Sequence, residues 1–65
     1  MFANLYTELK KAHITQIRVS KELGITDRSF SKKIHGNTDF TCEEMFAIQQ
    51  KFFPDKTLEY LFARY

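Results

Sequence analysis

The sequence is poor in the residues on which small non-helical domains depend. It has one Cys, one Pro, two Gly and no Trp among 65 residues. A single cysteine excludes an intramolecular disulfide framework, and one cysteine with two histidines argues against a structural zinc site. So few turn-forming residues also argue against an all-β fold with many tight turns. We therefore expect a fold held together by apolar packing, with no metal and no cofactor.

Long apolar runs are absent as well. No stretch of about 18 apolar residues occurs, and the first residues are not a basic segment followed by an apolar core. These absences predict a soluble, intracellular protein with neither a membrane span nor a signal peptide. The length of 65 residues predicts a single domain over positions 1–65 and excludes a large multi-step enzyme.

The charge of the chain is unevenly distributed. From Lys10 to Asn37 there are seven Lys or Arg against two acidic residues, a formal charge of +5, whereas the segment from Thr38 onward carries −2. Concentrated positive charge of this kind is typical of proteins that bind polyanions. A solvated helix face rich in Lys and Arg would show the same pattern, so charge alone leaves both interpretations open.

The spacing of apolar residues predicts an all-α fold of about five short helices. Leu5, Leu9 and Ala12 recur at steps of four and three, which places them on one side of a first helix. A second helix is predicted from about Gln16 to Leu23, with Thr15 as its N-cap. No stretch of useful length alternates with period two, so no strand is predicted.

A third helix is predicted from about Asp27 to His35. Thr26 can cap its start, and Phe30 and Ile34, four residues apart, supply its buried side. Gly36 follows directly and is expected to end the helix.

The last two helices are predicted from a capping signal and a proline. Thr41 and Glu44 have the spacing of a reciprocal capping box, so a fourth helix begins there, with Cys42 expected to be a small buried or boundary residue. Pro54 stops this helix, and a final short helix follows the polar turn Asp55–Thr57. The apolar positions of these two helices are Met45, Ile48, Phe52, Leu58, Leu61 and Phe62.

The connection between the second and third helices carries the most specific signal. Only Gly24, Ile25 and Thr26 separate them, and a turn of this length with a central glycine is typical of a helix-turn-helix. The small side chain of Ser20 lets the two helices approach closely, and Gly24 permits the sharp change of direction. The outer side of the third helix keeps polar and cationic residues, which suits an element that enters the major groove of DNA.

The segment TQIRVSKELGITDRSFS, residues 15–31, resembles the Cro/CI-type (XRE-like) helix-turn-helix family of phage and bacterial regulators. The stretch 30–41 and the turn Phe52–Asp55 resemble the small phage-type members, so the resemblance extends over nearly the whole chain. One departure is Lys33, where many members have an aliphatic residue; here the apolar residue comes one place later, as Ile34. The resemblance implies a lambda-repressor-like DNA-binding domain whose helix-turn-helix is formed by helices 2 and 3.

The resemblance also implies that the start of the third helix reads base edges. Arg28 is the leading candidate, because its planar guanidinium can donate two hydrogen bonds to guanine O6 and N7. Asp27 could accept a hydrogen bond from a cytosine amino group, or it could only complement the positive end of the helix. The full set of implied base-reading residues is Thr26, Asp27, Arg28, Ser29, Lys32 and Lys33.

A second implied set contacts phosphates and fixes the position of the protein on DNA. Gln16 opens the second helix, whose N-terminal N–H groups favour anions. The other members are polar or cationic residues that could also serve only to solubilise the surface. The full set is Gln16, Arg18, His35, Asn37, Lys10 and Lys11.

The aromatic residues are assigned mainly to the core, because most of them lie on apolar helix stripes and not among the cations. Core packing is predicted for Phe30, Phe40, Phe52 and Phe62. Phe46 lies beside Met45, off that stripe, and two tyrosines fall near the chain end. A hypothetical dimer contact is formed by Phe46, Tyr60 and Tyr65.

Together these features predict a sequence-specific regulator of transcription that binds double-stranded DNA. We expect a repressor that acts as a symmetric homodimer by occupying its promoter, in the cytoplasm of a bacterial host cell and associated with the nucleoid when bound. The alternative is a protein-binding helix-turn-helix, an antirepressor or antitoxin-like partner that acts through its aromatic C-terminal half. An enzyme is not expected, because Glu43, Glu44 and the two histidines lack the placement of an acid–base pair.

Overall fold

Five α-helices follow one another along residues 1–64, the part of the chain that the computed structural model describes. Within those residues there is no strand, and the predicted all-α fold of five short helices is confirmed. The third helix ends one residue earlier than predicted, with His35 just beyond it. The helices are α1 Ala3–Lys11, α2 Gln16–Leu23, α3 Asp27–Ile34, α4 Cys42–Phe52 and α5 Leu58–Leu61.

A threonine stands immediately before each of the helices α2 to α5. In each case the threonine side-chain oxygen accepts a hydrogen bond from the backbone N–H three residues later, at 3.1–3.2 Å. These bonds satisfy N–H groups that have no partner within the helix. The predicted capping box of α4 is confirmed, because Glu44 Oε1 also accepts a bond from the Thr41 N–H at 2.9 Å. The four capping residues are Thr15, Thr26, Thr41 and Thr57.

Helices α1, α2 and α3 end in the same way, on a residue with positive φ. These residues are His13 (φ 56°), Gly24 (φ 71°) and Gly36 (φ 87°). In each case the next N–H returns to the carbonyl five residues back, at 2.9–3.0 Å, the bond that defines a Schellman motif. The three bonds run from Ile14 to Leu9, from Ile25 to Ser20 and from Asn37 to Lys32. Glycine therefore fills this position after α2 and α3, and histidine fills it after α1.

The core is formed by apolar side chains from all five helices and from both flanks of α4. The predicted burial of Phe30 and Ile34 is confirmed, since both are completely inaccessible to solvent. The expectation for Ala12 was wrong: α1 ends at Lys11, and Ala12 is exposed. The buried apolar residues are Phe2, Leu5, Leu9, Val19, Phe30, Ile34, Phe40, Ile48, Phe53 and Leu61.

Four phenylalanine rings join distant parts of the chain in edge-to-face contacts. Phe40 lies at the centre, with ring centroids 5.2 Å from Phe2, 5.9 Å from Phe30 and 5.4 Å from Phe62. Such contacts add to the stability gained by burying the rings. The N-terminal segment is further tied to α3, because the Phe2 N–H donates to the Ile34 carbonyl at 2.9 Å. This cluster holds the C-terminal end of α3 against the rest of the molecule.

Two surface features complete the fold. Cys42 is exposed and not buried or at the boundary as expected, because Met45 and Ile48 turn the other side of α4 to the core. Of the helices in residues 1–64, none combines the length and the apolar character that a membrane crossing needs.

Candidate nucleic-acid interface

Helices α2 and α3 are joined by the predicted three-residue turn and by a side-chain hydrogen bond. Ser20 is 1% exposed, and its Oγ donates to Oδ1 of Asp27 at 2.5 Å. The same hydroxyl lies 2.9 Å from the Ile17 carbonyl oxygen, so its single proton can serve either acceptor. Because Asp27 is the first residue of α3, this bond ties the start of α3 to the middle of α2.

The two sides of α3 differ in polarity and exposure. Phe30 and Ile34 are fully buried, whereas Arg28, Lys32 and His35 are exposed. Steps of four and three residues place these last three on one line of the helix surface. We call the set Arg28, Lys32 and His35 the basic stripe. It is an exposed, cationic edge on a helix whose opposite side is held in the core.

Lys33 does not belong to the basic stripe. Its side chain is 15% exposed, and its ammonium nitrogen lies 3.1 Å from Glu44 Oε1. The same nitrogen donates to the backbone carbonyl of Asp39 at 3.0 Å. Lys33 therefore links α3 to α4, and its ammonium group does not point outward with the side chains of the basic stripe.

The ion pair also sets the ionisation of Glu44. Burial raises the pKa of Glu44, but the Thr41 N–H and the Lys33 ammonium both stabilise the carboxylate and lower that pKa. The net result is a pKa below the usual value of 4.5. Glu44 is therefore ionised at neutral pH.

The other residues in the first turn of α3 have partners inside the protein. The Thr26 side chain caps the helix, and its hydroxyl donates to Ser29 Oγ at 3.0 Å. Asp27 accepts the bond from Ser20. Within residues 1–64, no such side-chain contact involves Arg28 or Lys32. Arg28 and Lys32 are thus the members of the predicted base-reading set whose side chains make no contact of this kind in the described part of the chain.

The residues predicted to contact phosphates lie at the end of α1, in α2 and just after α3. Gln16 is half-buried at the start of α2, and Lys11, His35 and Asn37 are exposed. The Lys10 ammonium lies 5.1 Å from the centre of the Tyr6 ring.

Arg18 lies on the side of α2 that faces α4. Its guanidinium carbon is 5.8 Å from the centre of the Phe52 ring. On the same side, the Lys51 ammonium donates to Glu22 Oε2 at 2.8 Å. The hydrogen bond from Lys51 and its charge lower the pKa of Glu22. The structure thus brings Arg18 to the α2–α4 contact and does not bring it to the basic stripe.

One exposed residue near this surface was missed by sequence reasoning. Ile17, the second residue of α2, is 53% exposed. The signal was present, because Ile17 is out of step with Val19 and Leu23, which form the apolar side of α2. An exposed isoleucine beside Gln16 offers an apolar contact next to a polar one.

The residues predicted to form a dimer contact have different environments. Phe46, on the outer side of α4, is 53% exposed. Tyr60 is 39% exposed, but its hydroxyl donates to Glu8 Oε2 at 2.8 Å and its carbonyl accepts from Asn4 Nδ2 at 2.9 Å, which ties it to α1. Tyr65 lies outside the described residues. Phe46 is therefore the most exposed of the aromatic side chains in this group that the structure describes.

The chemistry that this surface offers is hydrogen-bond donation and positive charge. Over the described part of the chain, no three His, Cys, Asp or Glu side chains lie together in a group that could hold a metal ion. The chain matches no protein-family model, no curated protein and no solved structure.

Proposed function

We propose that this protein is a sequence-specific regulator of transcription that binds double-stranded DNA through a helix-turn-helix formed by α2 and α3. The observation that carries the proposal is the contrast between the two sides of α3. The exposed basic stripe lies opposite Phe30 and Ile34, which are fully buried. Insertion into the major groove requires a helix that packs against the core on one side and exposes hydrogen-bond donors on the other.

Two exposed side chains of the stripe read bases in this proposal. Arg28 lies in the first turn of α3 and donates its two parallel N–H groups to guanine O6 and N7. Lys32 lies one turn further along and reaches a base or the DNA backbone. Neither donor is engaged by another side chain within residues 1–64, so no internal contact has to be broken on binding.

Phosphate and methyl contacts extend the interface beyond α3. Gln16 and the backbone N–H groups at the start of α2 bind a phosphate, which positions α3 without reading sequence. Ile17, exposed next to Gln16, contacts a thymine methyl group. Phosphates further from α3 are contacted by the exposed side chains of Lys10, Lys11, His35 and Asn37.

The protein acts in this proposal as a homodimeric repressor that occupies a promoter in the cytoplasm of a bacterial host. A two-fold axis places two α3 helices about 34 Å apart, in successive major grooves on one face of the duplex. The described part of the chain measures 26 × 22 × 21 Å, so two copies side by side fit that spacing. Phe46 supports self-association as an apolar side chain left in solvent.

Selection of bound sequences from a random duplex pool tests this proposal. We expect an enriched sequence with two symmetric half-sites about 10 base pairs apart. Affinity for that sequence should fall steeply between 50 and 200 mM salt, by about 10³ if six phosphates are contacted. The absence of any enriched sequence, together with no mobility shift at low salt, would overturn it.

A second candidate function, binding to another protein, is favoured by the exposure of Phe46. An antirepressor or antitoxin-like protein would use this apolar side chain against a partner and leave the basic stripe in solvent. The two functions predict different effects of Phe46→Ser in the absence of DNA. The first predicts weaker self-association, and the second predicts loss of a complex with a different protein. Loss of a stable complex with a different protein, with no effect on self-association, supports the second function.

A further inference from the structure

We propose that Ser20 is a positioning residue for DNA reading and that it acts through Asp27. The Ser20 hydroxyl holds the Asp27 carboxylate toward α2, which fixes the first turn of α3 and keeps that carboxylate out of the base-reading set. The DNA part of this inference rests on the proposed function, whereas the contact itself can be tested in the free protein.

The argument starts from the burial of a polar side chain. Ser20 is 1% exposed, and a buried hydroxyl that lacks a partner is costly. Ser20 already has an acceptor on its own helix, the Ile17 carbonyl at 2.9 Å. The bond to Asp27 Oδ1 is therefore not needed to satisfy the hydroxyl. Its consequence is a link between two helices that no backbone hydrogen bond provides at this point.

The second step is the place of Asp27 in α3. Asp27 is the first residue of the helix and directly precedes Arg28. The hydrogen bond that Asp27 accepts from the buried hydroxyl of Ser20 restrains rotation of the first turn of α3 about its axis. Rotation of that turn would move the Arg28 guanidinium across the base edges, where two parallel hydrogen bonds tolerate little misalignment.

The third step is the charge of Asp27. A carboxylate released onto the outer side of α3 would face the phosphates of a bound duplex and repel them. Held by Ser20, the carboxylate instead lies at the N-terminus of α3, where a negative charge is favourable. Ser20 thus serves the fold and the interface through one hydrogen bond.

The contact is tested first without DNA, by thermal unfolding of S20A, D27A and the double variant. Ser20→Ala should lower the melting temperature in the wild-type background and have no further effect in the D27A background, because its partner is already gone. Thr7→Ala, which removes an exposed hydroxyl from α1, is the matched control and should not depend on residue 27. Equal effects of S20A in both backgrounds would overturn the proposed contact.

The positioning role is then measured on the duplex that the wild-type protein selects, as the ratio of its affinity to that of a scrambled duplex. S20A and D27A should each lower this ratio about fivefold, and the double variant should lower it no further. Asp27→Asn keeps an oxygen that accepts from Ser20, so it should retain the ratio.

Two results would overturn the positioning role. One is a changed base preference at a single position in D27A but not in S20A, which would make Asp27 itself a base reader. The other is an unchanged affinity ratio in S20A although thermal unfolding shows that the effect of S20A depends on Asp27. If the wild-type protein selects no duplex, the proposed function fails, while the unfolding cycle still decides whether Ser20 and Asp27 are coupled.

Discussion

The Lys33 ammonium lies 3.1 Å from the Glu44 carboxylate, with the two side chains only 15% and 16% exposed. Glu44 also accepts a hydrogen bond from the Thr41 N–H, so one carboxylate closes the first turn of α4 and binds α3. The ion pair is largely shielded from water, where removal of one partner leaves the other without compensation. It is therefore a structural link between α3 and α4.

We predict that Glu44→Gln destabilises the protein by about 1–3 kcal/mol, because it leaves the shielded Lys33 ammonium without its counter-charge. Glutamine retains an oxygen for the Thr41 N–H, so the capping bond itself is kept. Urea unfolding measures the change. Glu22→Gln breaks the exposed pair with Lys51 and is the matched control, for which a smaller loss is expected. Equal losses would contradict a special role for the Lys33–Glu44 pair.

The same pair predicts how stability depends on pH. The pKa of Glu44 is lowered in the folded protein, so its contribution is complete above about pH 4.5, its usual value, and is lost as the pH falls through the folded-state value. The difference in unfolding free energy between wild type and E44Q should therefore shrink as the pH falls from 7 to below about 4.5. A difference that stays constant over this range would show that ionisation of Glu44 contributes nothing.

The Schellman motifs predict opposite effects of two substitutions at equivalent positions. His13→Gly should stabilise the protein by about 0.5–1 kcal/mol, because glycine adopts a positive φ without the steric cost of a Cβ atom. Gly24→Ala should destabilise it by about 1 kcal/mol, since a Cβ there meets no atom within 4 Å and the cost is conformational. Thermal unfolding checks both, and shifts of the same sign would contradict the explanation.

Arg28→Ala should weaken binding to the selected duplex by about 1–3 kcal/mol and leave non-specific binding nearly unchanged. The reason is that Arg28 supplies base contacts in the proposed interface, and those contacts exist only on the correct sequence. Titration of a labelled duplex against its scrambled counterpart measures the two affinities. Lys51→Ala removes one positive charge from α4 and should leave the ratio of the two affinities unchanged. Equal losses on both duplexes for R28A would refute base reading by Arg28.

Phe46→Ser should reduce self-association and leave the core of the monomer unchanged, because the side chain is 53% exposed and contributes little to that core. Sedimentation equilibrium over a range of protein concentrations measures the change. Ile17→Ser is a matched control, since Ile17 is equally exposed but lies on α2. Self-association that is unchanged in F46S, or reduced as strongly in I17S, would place the dimer contact elsewhere.

Some features of the candidate site could be read from neighbouring residues alone. Thr26 caps α3 and Gly24 ends α2 as predicted, because both signals act within one or two turns of the chain. The burial of Phe30 and Ile34 follows from their four-residue spacing. The placement of Lys33 was not predictable in this way, because its partners lie beyond the helix, Asp39 in the α3–α4 loop and Glu44 in α4.

The five helices, the threonine caps of α2 to α5 and the glycines that end α2 and α3 follow from local sequence, since each depends on φ, ψ and hydrogen bonds between residues close in the chain. Which polar side chains remain available to a partner depends instead on how the helices pack. Ser20 is joined to Asp27 and Tyr60 to Glu8, whereas Arg28 and Lys32 point outward. The physical reason is that such pairings depend on the distance and orientation between packed helices, which the local pattern of residues does not specify.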